Sequence, residues 1–362
     1  MMGHYIASSD TGNGNTNVIV RQEGGREKSL CIASIRARVS SQTLGLGKQA
    51  ELDYVWAEIS GVRYAFGDDC LVVNRAEIDR HMGEKRYLHE HHRSLTAYGL
   101  ARLGVKSGSV DLTLMCPPKL YGDLKDAMIE TYRSNPVEIM LRGDKKPRTW
   151  AYSNVTVWPE GFPAAACFML EKDGSAGVAR VMAGDVLIVD TGAHTANAFI
   201  AHNGKFNSSQ LVHSSIEHGG GDTHIRTPLL EWVRGQGGEL SAVTTDDIDR
   251  VLRLAAASGD YTLKFGLASV DLLPALEQLA LHYAHWLANN VIDSRFDGLR
   301  GINRVLVVGG NAAYVMSHFA EWYPGKAITE KEWAGLNGWH PADLNAVGGL
   351  RLALARLNKG KA

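Results

Sequence analysis

The chain has 362 residues, 45% hydrophobic and 21% charged, enough apolar material for one large domain or two ordinary ones and too much for a disordered or collagen-like chain. Lys and Arg total 38 against 39 Asp and Glu, a net charge of −1, so no global field draws the protein to nucleic acid or anionic lipid. No run approaches the roughly 18 apolar residues of a membrane helix, the start Met1-Met2-Gly3-His4 has no signal-peptide pattern, and Cys31, Cys70, Cys116 and Cys167 lie far apart without a CxxC pair. A soluble, cytoplasmic protein with reduced thiols is expected.

In chain order, residues 5–9 and 16–20 are short β-prone runs joined by Asp10-Thr11-Gly12-Asn13-Gly14. Gly and Asn turn hairpins at low steric cost, so the opening reads as strand, tight turn, strand, with Asp10 at the tip. Residues 21–80 mix Gly-rich turns with β-like pieces at 55–59, 62–66 and 70–73. The spacing of Leu88, His92, Leu95, Gly99 and Leu103 predicts a helix over 88–103. A strand at 110–115, closed by Pro117-Pro118, and a helix at 123–133 follow. Residues 186–189 are four apolar residues in a row, a buried strand, ending at Asp190-Thr191-Gly192, with 197–201 as the return strand. The stripe Leu272, Leu276, Leu279, Tyr283, Leu287 and Val291 predicts a helix over 271–292, with Asp271 as N-cap and Pro274 in its first turn. Residues 305–308 form a third buried strand, running into Gly309-Gly310-Asn311-Ala312. Strands alternating with helices predict an α/β architecture.

Two of these segments match at an offset of 180. Asp10-Thr11-Gly12-Asn13-Gly14-Asn15-Thr16-Asn17 and Asp190-Thr191-Gly192-Ala193-His194-Thr195-Ala196-Asn197 agree at Asp, Thr, Gly and the final Asn, each between two β-like runs. They are either two ordinary polar turns or the halves of a duplicated fold, each aiming an acid at a shared cleft. Two chemistries place paired Asp-Thr-Gly loops across a cleft. In a pepsin-type aspartic protease the two carboxylates share a proton and activate water. Against this stand Asn13 and Ala193 after the glycines, the short chain before Asp10, and the helices at 88–103 and 271–292. In a nucleotide site, turn amides of Gly12, Asn13, Gly14, Gly192, Ala193 and His194 meet phosphates, while Asp10 and Asp190 hold the waters of a Mg²⁺ ion.

The motifs fall in an order similar to that of the actin-like ATPases. Residues 10–16 resemble the phosphate-1 loop, with Asn17 standing where a phosphate-contacting Lys is usual. Residues 112–121 (LTLMCPPKLY) resemble the strand-plus-proline segment of bacterial and archaeal actin-like proteins. Residues 159–166 (PEGFPAAA) resemble the connecting helix that carries a catalytic acid, residues 190–195 phosphate-2, with Ala193 and His194 in place of glycines, and residues 305–312 the adenosine-binding strand and turn. Asn345-Ala346-Val347-Gly348-Gly349 resembles the opening of the C-terminal helix. The chain looks most like the plasmid-segregation actins of the ParM type and their archaeal relatives.

The resemblance implies an actin-like, ribonuclease H-like duplicated fold with Mg-ATP in an interlobe cleft. Lobe I would comprise 1–185, with a small insertion at 31–87, plus the returning helix 340–362; lobe II would be 186–339. It implies phosphate contacts from Thr11 to Asn17 and from Thr191 to Thr195, a nucleoside pocket at Gly220, Gly221, Gly309, Gly310 and Asn311, and Mg²⁺ held through water by Asp10 and Asp190. Glu160 would orient the attacking water, since phosphoryl transfer depends on positioning and charge neutralisation. The implied activity is ATP hydrolysis coupled to filament assembly from copies of the chain. Plasmid DNA would be reached through an adaptor protein, with no direct nucleic-acid or membrane contact. The alternative is a non-polymerising ATPase, small kinase or reactivase on the same fold. His81 and His89 to His92 suggest a metal cluster, but a solvated helix start accounts for them, and the basic tail from Lys359 reads as a frayed terminus.

Overall fold

The computed structural model describes residues 3–39, 55–73, 75–177, 179–328, 332 and 339–361. The chain forms two compact units, the first from Met1–Cys116, Leu120–Pro159 and Gly349–Ala362, the second from Pro117–Lys119 and Glu160–Gly348. The expected breaks at 185/186 and 339/340 therefore lie inside the second unit. Phe162 packs edge-on against Phe206, in the loop after the strand Thr195–His202, at 4.6 Å, which places the segment after residue 160 with the second unit.

The first unit holds a ten-stranded sheet built from β1 (Gly3–Thr11), β2 (Asn15–Gln22), β3 (Glu27–Ala33), β4 (Arg36–Arg38), β5 (Trp56–Ile59), β6 (Val62–Phe66), β7 (Ile78–Asp79), β8 (Ser107–Cys116), β9 (Val137–Leu141) and β10 (Arg148–Pro159). Its order is β3-β2-β1-β8-β10-β9-β5-β6-β4-β7. β8 runs parallel to both β1 and β10, and residues 110–116 are all buried, as expected of a parallel strand covered on both faces. The described part of the 31–87 insertion extends this same sheet. Residues 70–73 are helical, not extended: Gly67, at φ +62°, starts a tight turn that leads into Cys70–Val73. The helix expected at 88–103 spans Glu90–Arg102 and lies so close to β2 that a Cβ on Gly99 would sit 2.6 Å from Val18 Cγ2.

The second unit holds a four-stranded sheet of β11 (Asp185–Thr191), β12 (Thr195–His202), β13 (Ser215–Glu217) and β16 (Arg304–Val308), with a separate hairpin of β14 (Thr262–Phe265) and β15 (Ala268–Asp271). Its order, β13-β12-β11-β16, repeats β3-β2-β1-β8. In both, an antiparallel hairpin has a third antiparallel strand beside its second arm and a parallel strand beside its first. Leu187 and Val189 join Leu229, Leu276, Tyr283 and Val315 in the core. The long helix begins at Leu273, because Asp271 is spent in β15 opposite Thr262; its Oδ1 still accepts from the Leu273 N–H at 3.0 Å. After Leu287 it widens into a π-turn at Ala288–Asp293. Cys31 is exposed and Cys70, Cys116 and Cys167 are buried, all as thiols. Among the described residues no helix is long and apolar enough to cross a membrane.

Candidate functional site

The candidate residues collect around two hairpins, one in each unit, in the same register. In the first, Asp10 pairs with Asn17 and Thr11 with Thr16; in the second, Asp190 pairs with Asn197 and Thr191 with Ala196. Each aspartate is thus a strand residue, not the tip of its turn, and lies directly across from an asparagine. The turns close alike: Gly12 N–H donates to Asn15 O at 2.9 Å, and Gly192 N–H to Thr195 O at 3.0 Å. Those two amides are therefore engaged within their turns. Neither glycine has a positive φ; what each supplies is room, since a Cβ would lie 3.2 Å from Asn15 O or 3.1 Å from Thr195 O.

The first turn is supported by side chains from distant positions. Thr11 Oγ1 lies 3.0 Å from Ser9 Oγ and 3.2 Å from Thr96 Oγ1 on the helix Glu90–Arg102. Gly14 O accepts from Ser34 N–H at 2.9 Å, and Thr16 Oγ1 meets Ser34 Oγ at 2.8 Å. Arg86 is 2% exposed. Its Nη2 donates to Thr11 O at 2.7 Å and to Gly12 O at 2.6 Å, and its Nη1 donates to Asn13 Oδ1.

The second turn gathers more of the expected residues. Asn311 Nδ2 donates to Thr191 O at 3.0 Å and to Gly192 O at 2.8 Å. Gly221 N–H donates to Gly192 O, Gly220 N–H to His194 O and Asp222 N–H to Ala193 O, at 3.0, 3.3 and 2.7 Å. A Cβ on Gly220 would lie 2.4 Å from Ala193 O, so only glycine permits this approach. His194 Nδ1 is 3.0 Å from Asp222 Oδ2. Gly310, by contrast, has open space where a Cβ would go.

Asp190 is buried at 4% exposure, and burial pushes its carboxyl up to about 6 against the hydrogen bond from Asn345 Nδ2 at 3.0 Å. Asn345 Oδ1 accepts from Gly161 N–H at 2.9 Å, so one amide joins the carboxylate to the start of the helix Phe162–Ala166. Gly309, at φ +94°, would place a Cβ 2.3 Å from Asp190 Oδ1. Glu160 is half-buried, with its Oε2 3.5 Å from Asn197 Nδ2; Asn197 Oδ1 accepts from Ser215 Oγ at 2.6 Å.

Sequence reasoning missed Arg86 and gave Asn345 no role beyond its motif. Arg86 lies in the insertion, with no local pattern to tie it to residues 11–13. It also misjudged the histidines, of which His91 and His92 are buried rather than solvated. His92 Nδ1 is 2.7 Å from Tyr132 OH, and His91 lies 3.2 Å from both Asp79 Oδ2 and Ser34 O. Burial pushes both imidazoles below their usual range. Among the described residues no three His, Cys, Asp or Glu side chains are grouped to hold a metal ion.

This duplicated architecture is that of the actin-like proteins. Residues 8–162 match the family described as actin like proteins N terminal domain. An archaeal actin homolog is 16% identical, with a TM-score of 0.73 over 99% of this chain and 100% of that one; the same homolog in complex with ADP also matches, at 0.69. The apo psk41 ParM protein is 16% identical, with a TM-score of 0.66 over 99% of each chain. A ParM from a 15-stranded filament of Clostridium botulinum is 14% identical, with 0.68 over 97% of this chain and 99% of that one. No curated protein matches the sequence. The chain has the actin-like fold, and the family match is confined to residues 8–162.

Proposed function

We propose that this protein is a filament-forming ATPase of the actin-like fold that binds Mg-ATP through its two acidic hairpins and segregates plasmid DNA through an adaptor protein in the cytoplasm. The observation that carries this is the repeated register: an Asp opposite an Asn, next to last in a strand that runs into a closed turn, in two sheets of the same strand order. A carboxylate that must meet a metal bound to phosphate belongs beside a turn whose amides meet that phosphate. Two of its structural neighbours support the reading, one an archaeal actin homolog in complex with ADP and the other a ParM filament.

The residues fit a metal–polyphosphate ligand. Asp10 and Asp190 offer hard oxygen ligands, which Mg²⁺ accepts directly or through its waters. With Gly12 and Gly192 engaged in their turns, phosphate contacts fall to the amides of Asn13, Gly14, Ala193 and His194, with Thr11, Asn15, Thr16, Asn17, Thr191 and Thr195 shaping the two turns. Mg²⁺, when bound, supplies neutralisation of the phosphate charge. Asp190, with its carboxyl near 6, is mostly ionised at neutral pH. Glu160, beside Asn197, orients the attacking water. Gly220, Gly221, Gly309, Gly310 and Asn311 border the nucleoside.

Right-angle light scattering across a protein concentration series, on adding Mg-ATP, tests the proposal. The expected result is a rise above a critical concentration that EDTA abolishes. A flat trace with measurable turnover would replace the filament by a non-polymerising ATPase, and no turnover would remove the ATPase as well.

A further inference from the structure

The same pair of carbonyls is satisfied in opposite ways in the two hairpins. Thr191 O and Gly192 O accept from the neutral amide of Asn311, and Thr11 O and Gly12 O accept from the guanidinium of Arg86. The second hairpin holds its turn with uncharged donors alone, the Asn311 side chain being joined by the backbone N–H groups of Asn311 and Gly221. A full positive charge is an expensive way to do it, because an ion removed from water must recover its solvation from its surroundings. Arg86 is 2% exposed, its bonds end on two backbone carbonyls and an amide oxygen, and its buried Nε has no hydrogen-bond partner. The guanidinium also lies over the Tyr87 ring at 5.4 Å, but among the described residues none of its hydrogen bonds ends on a carboxylate, so the charge stands beside residues 11–13 without a bonded counter-charge.

We propose that Arg86 is the charge-supplying and positioning residue of the first hairpin, holding a positive potential under the turn that is compensated when the polyphosphate of a nucleotide arrives. This rests on the proposed nucleotide function and assigns a role within it. Attraction by a buried charge grows with the charge of the ligand. Affinity should therefore fall from triphosphate to diphosphate to nucleoside by more than the turn amides alone would give.

Arg86→Gln makes the first hairpin resemble the second, keeping an amide donor for the carbonyls and removing the charge. Binding of Mg-ATP, Mg-ADP and adenosine to the full chain would be measured by calorimetry over a salt series, with melting as the check on folding. The expected result for Gln is a loss of about tenfold or more for Mg-ATP, a smaller loss for Mg-ADP, unchanged adenosine binding and a shallower salt dependence. Arg86→Lys, which keeps the charge, should stay within about threefold of wild type for Mg-ATP. Equal losses for all three ligands, or a Gln variant that binds Mg-ATP like wild type, would overturn the role of the charge. If the Gln variant does not fold, the Lys variant decides, with a tenfold loss overturning the proposal. If neither folds, Arg86 serves the fold and not the ligand. Wild-type protein that ignores Mg-ATP would remove the nucleotide function itself, an outcome distinct from these.

Discussion

The hairpin of β1 and β2 and the hairpin of β11 and β12 share strand order, register and turn closure, yet almost nothing that supports them is shared. The first leans on Thr96, Ser34 and Arg86; the second on Asn311, Asn345 and the Gly219–Asp222 segment. Asp10 is half-buried, whereas Asp190 is closed in at 4% exposure with its carboxyl held near 6. A duplicated backbone thus keeps its geometry where two strands and a turn dictate it. It diverges wherever a side chain arrives from elsewhere in the chain.

The largest expected break in this comparison is at Asp190. Under the proposed function, Asp190→Asn should lower Mg-dependent ATP turnover by about 100-fold or more while the fold persists, because a preorganised charge is lost. Wild-type turnover in that variant would remove the second hairpin from the site. Melting in EDTA should separate the stability effect from the chemical one. A carboxyl raised from 3.8 to about 6 keeps its proton longer in the folded state, so its contribution is most favourable below 3.8 and is lost as pH rises through 6. Asp190→Asn should therefore be the more stable protein above pH 6, by about 1–3 kcal/mol, with the advantage vanishing towards pH 4.

Next in size is Gly309→Ala. It adds a Cβ 2.3 Å from Asp190 Oδ1 at a φ of +94°, and should cost about 2–4 kcal/mol in urea unfolding. Gly310→Ala, one residue on and with open space, should cost about 1 kcal/mol or less, so equal costs would contradict the packing around Asp190. Asn311→Ala removes the side-chain donor to Thr191 O and Gly192 O, while the backbone N–H of residue 311 still serves Thr191 O and Gly221 N–H still serves Gly192 O. A loss of about 1–3 kcal/mol is expected in the same assay.

The smallest effect sharpens the contrast between the units. His92 is buried with its pKa well below the ordinary value, so it contributes stability above about pH 6.5 that is lost as pH falls. The first unit thus carries a group that weakens on acidification, where Asp190 weakens the second on going basic. His92→Gln should flatten the acid limb of the melting curve below about pH 6.5. An unchanged slope would place the acid sensitivity elsewhere.

What was legible in the sequence was local. Apolar runs ending in Asp-Thr-Gly marked β1 and β11 because strand and turn are both encoded within a dozen residues. The helix Glu90–Arg102 and the helix from Leu273 followed from their 3.6-residue stripes. The supports were not legible, because Arg86, Asn311 and Asn345 act across 75, 120 and 155 positions of sequence. Residues 70–73 look β-prone, yet they follow the Gly67 turn and coil. The burial of His92 depended on Tyr132, forty positions away.

Cys31 lies on β3, an edge strand of the large sheet, in register with Asn17, which in turn pairs with Asp10. It is exposed, while Cys70, Cys116 and Cys167 are buried. The native chain therefore carries one readily alkylated sulfur on the strand next to the first acidic hairpin. A small fluorophore attached there would report ligand arrival in real time, and a mass spectrometer could count its incorporation without any engineered residue.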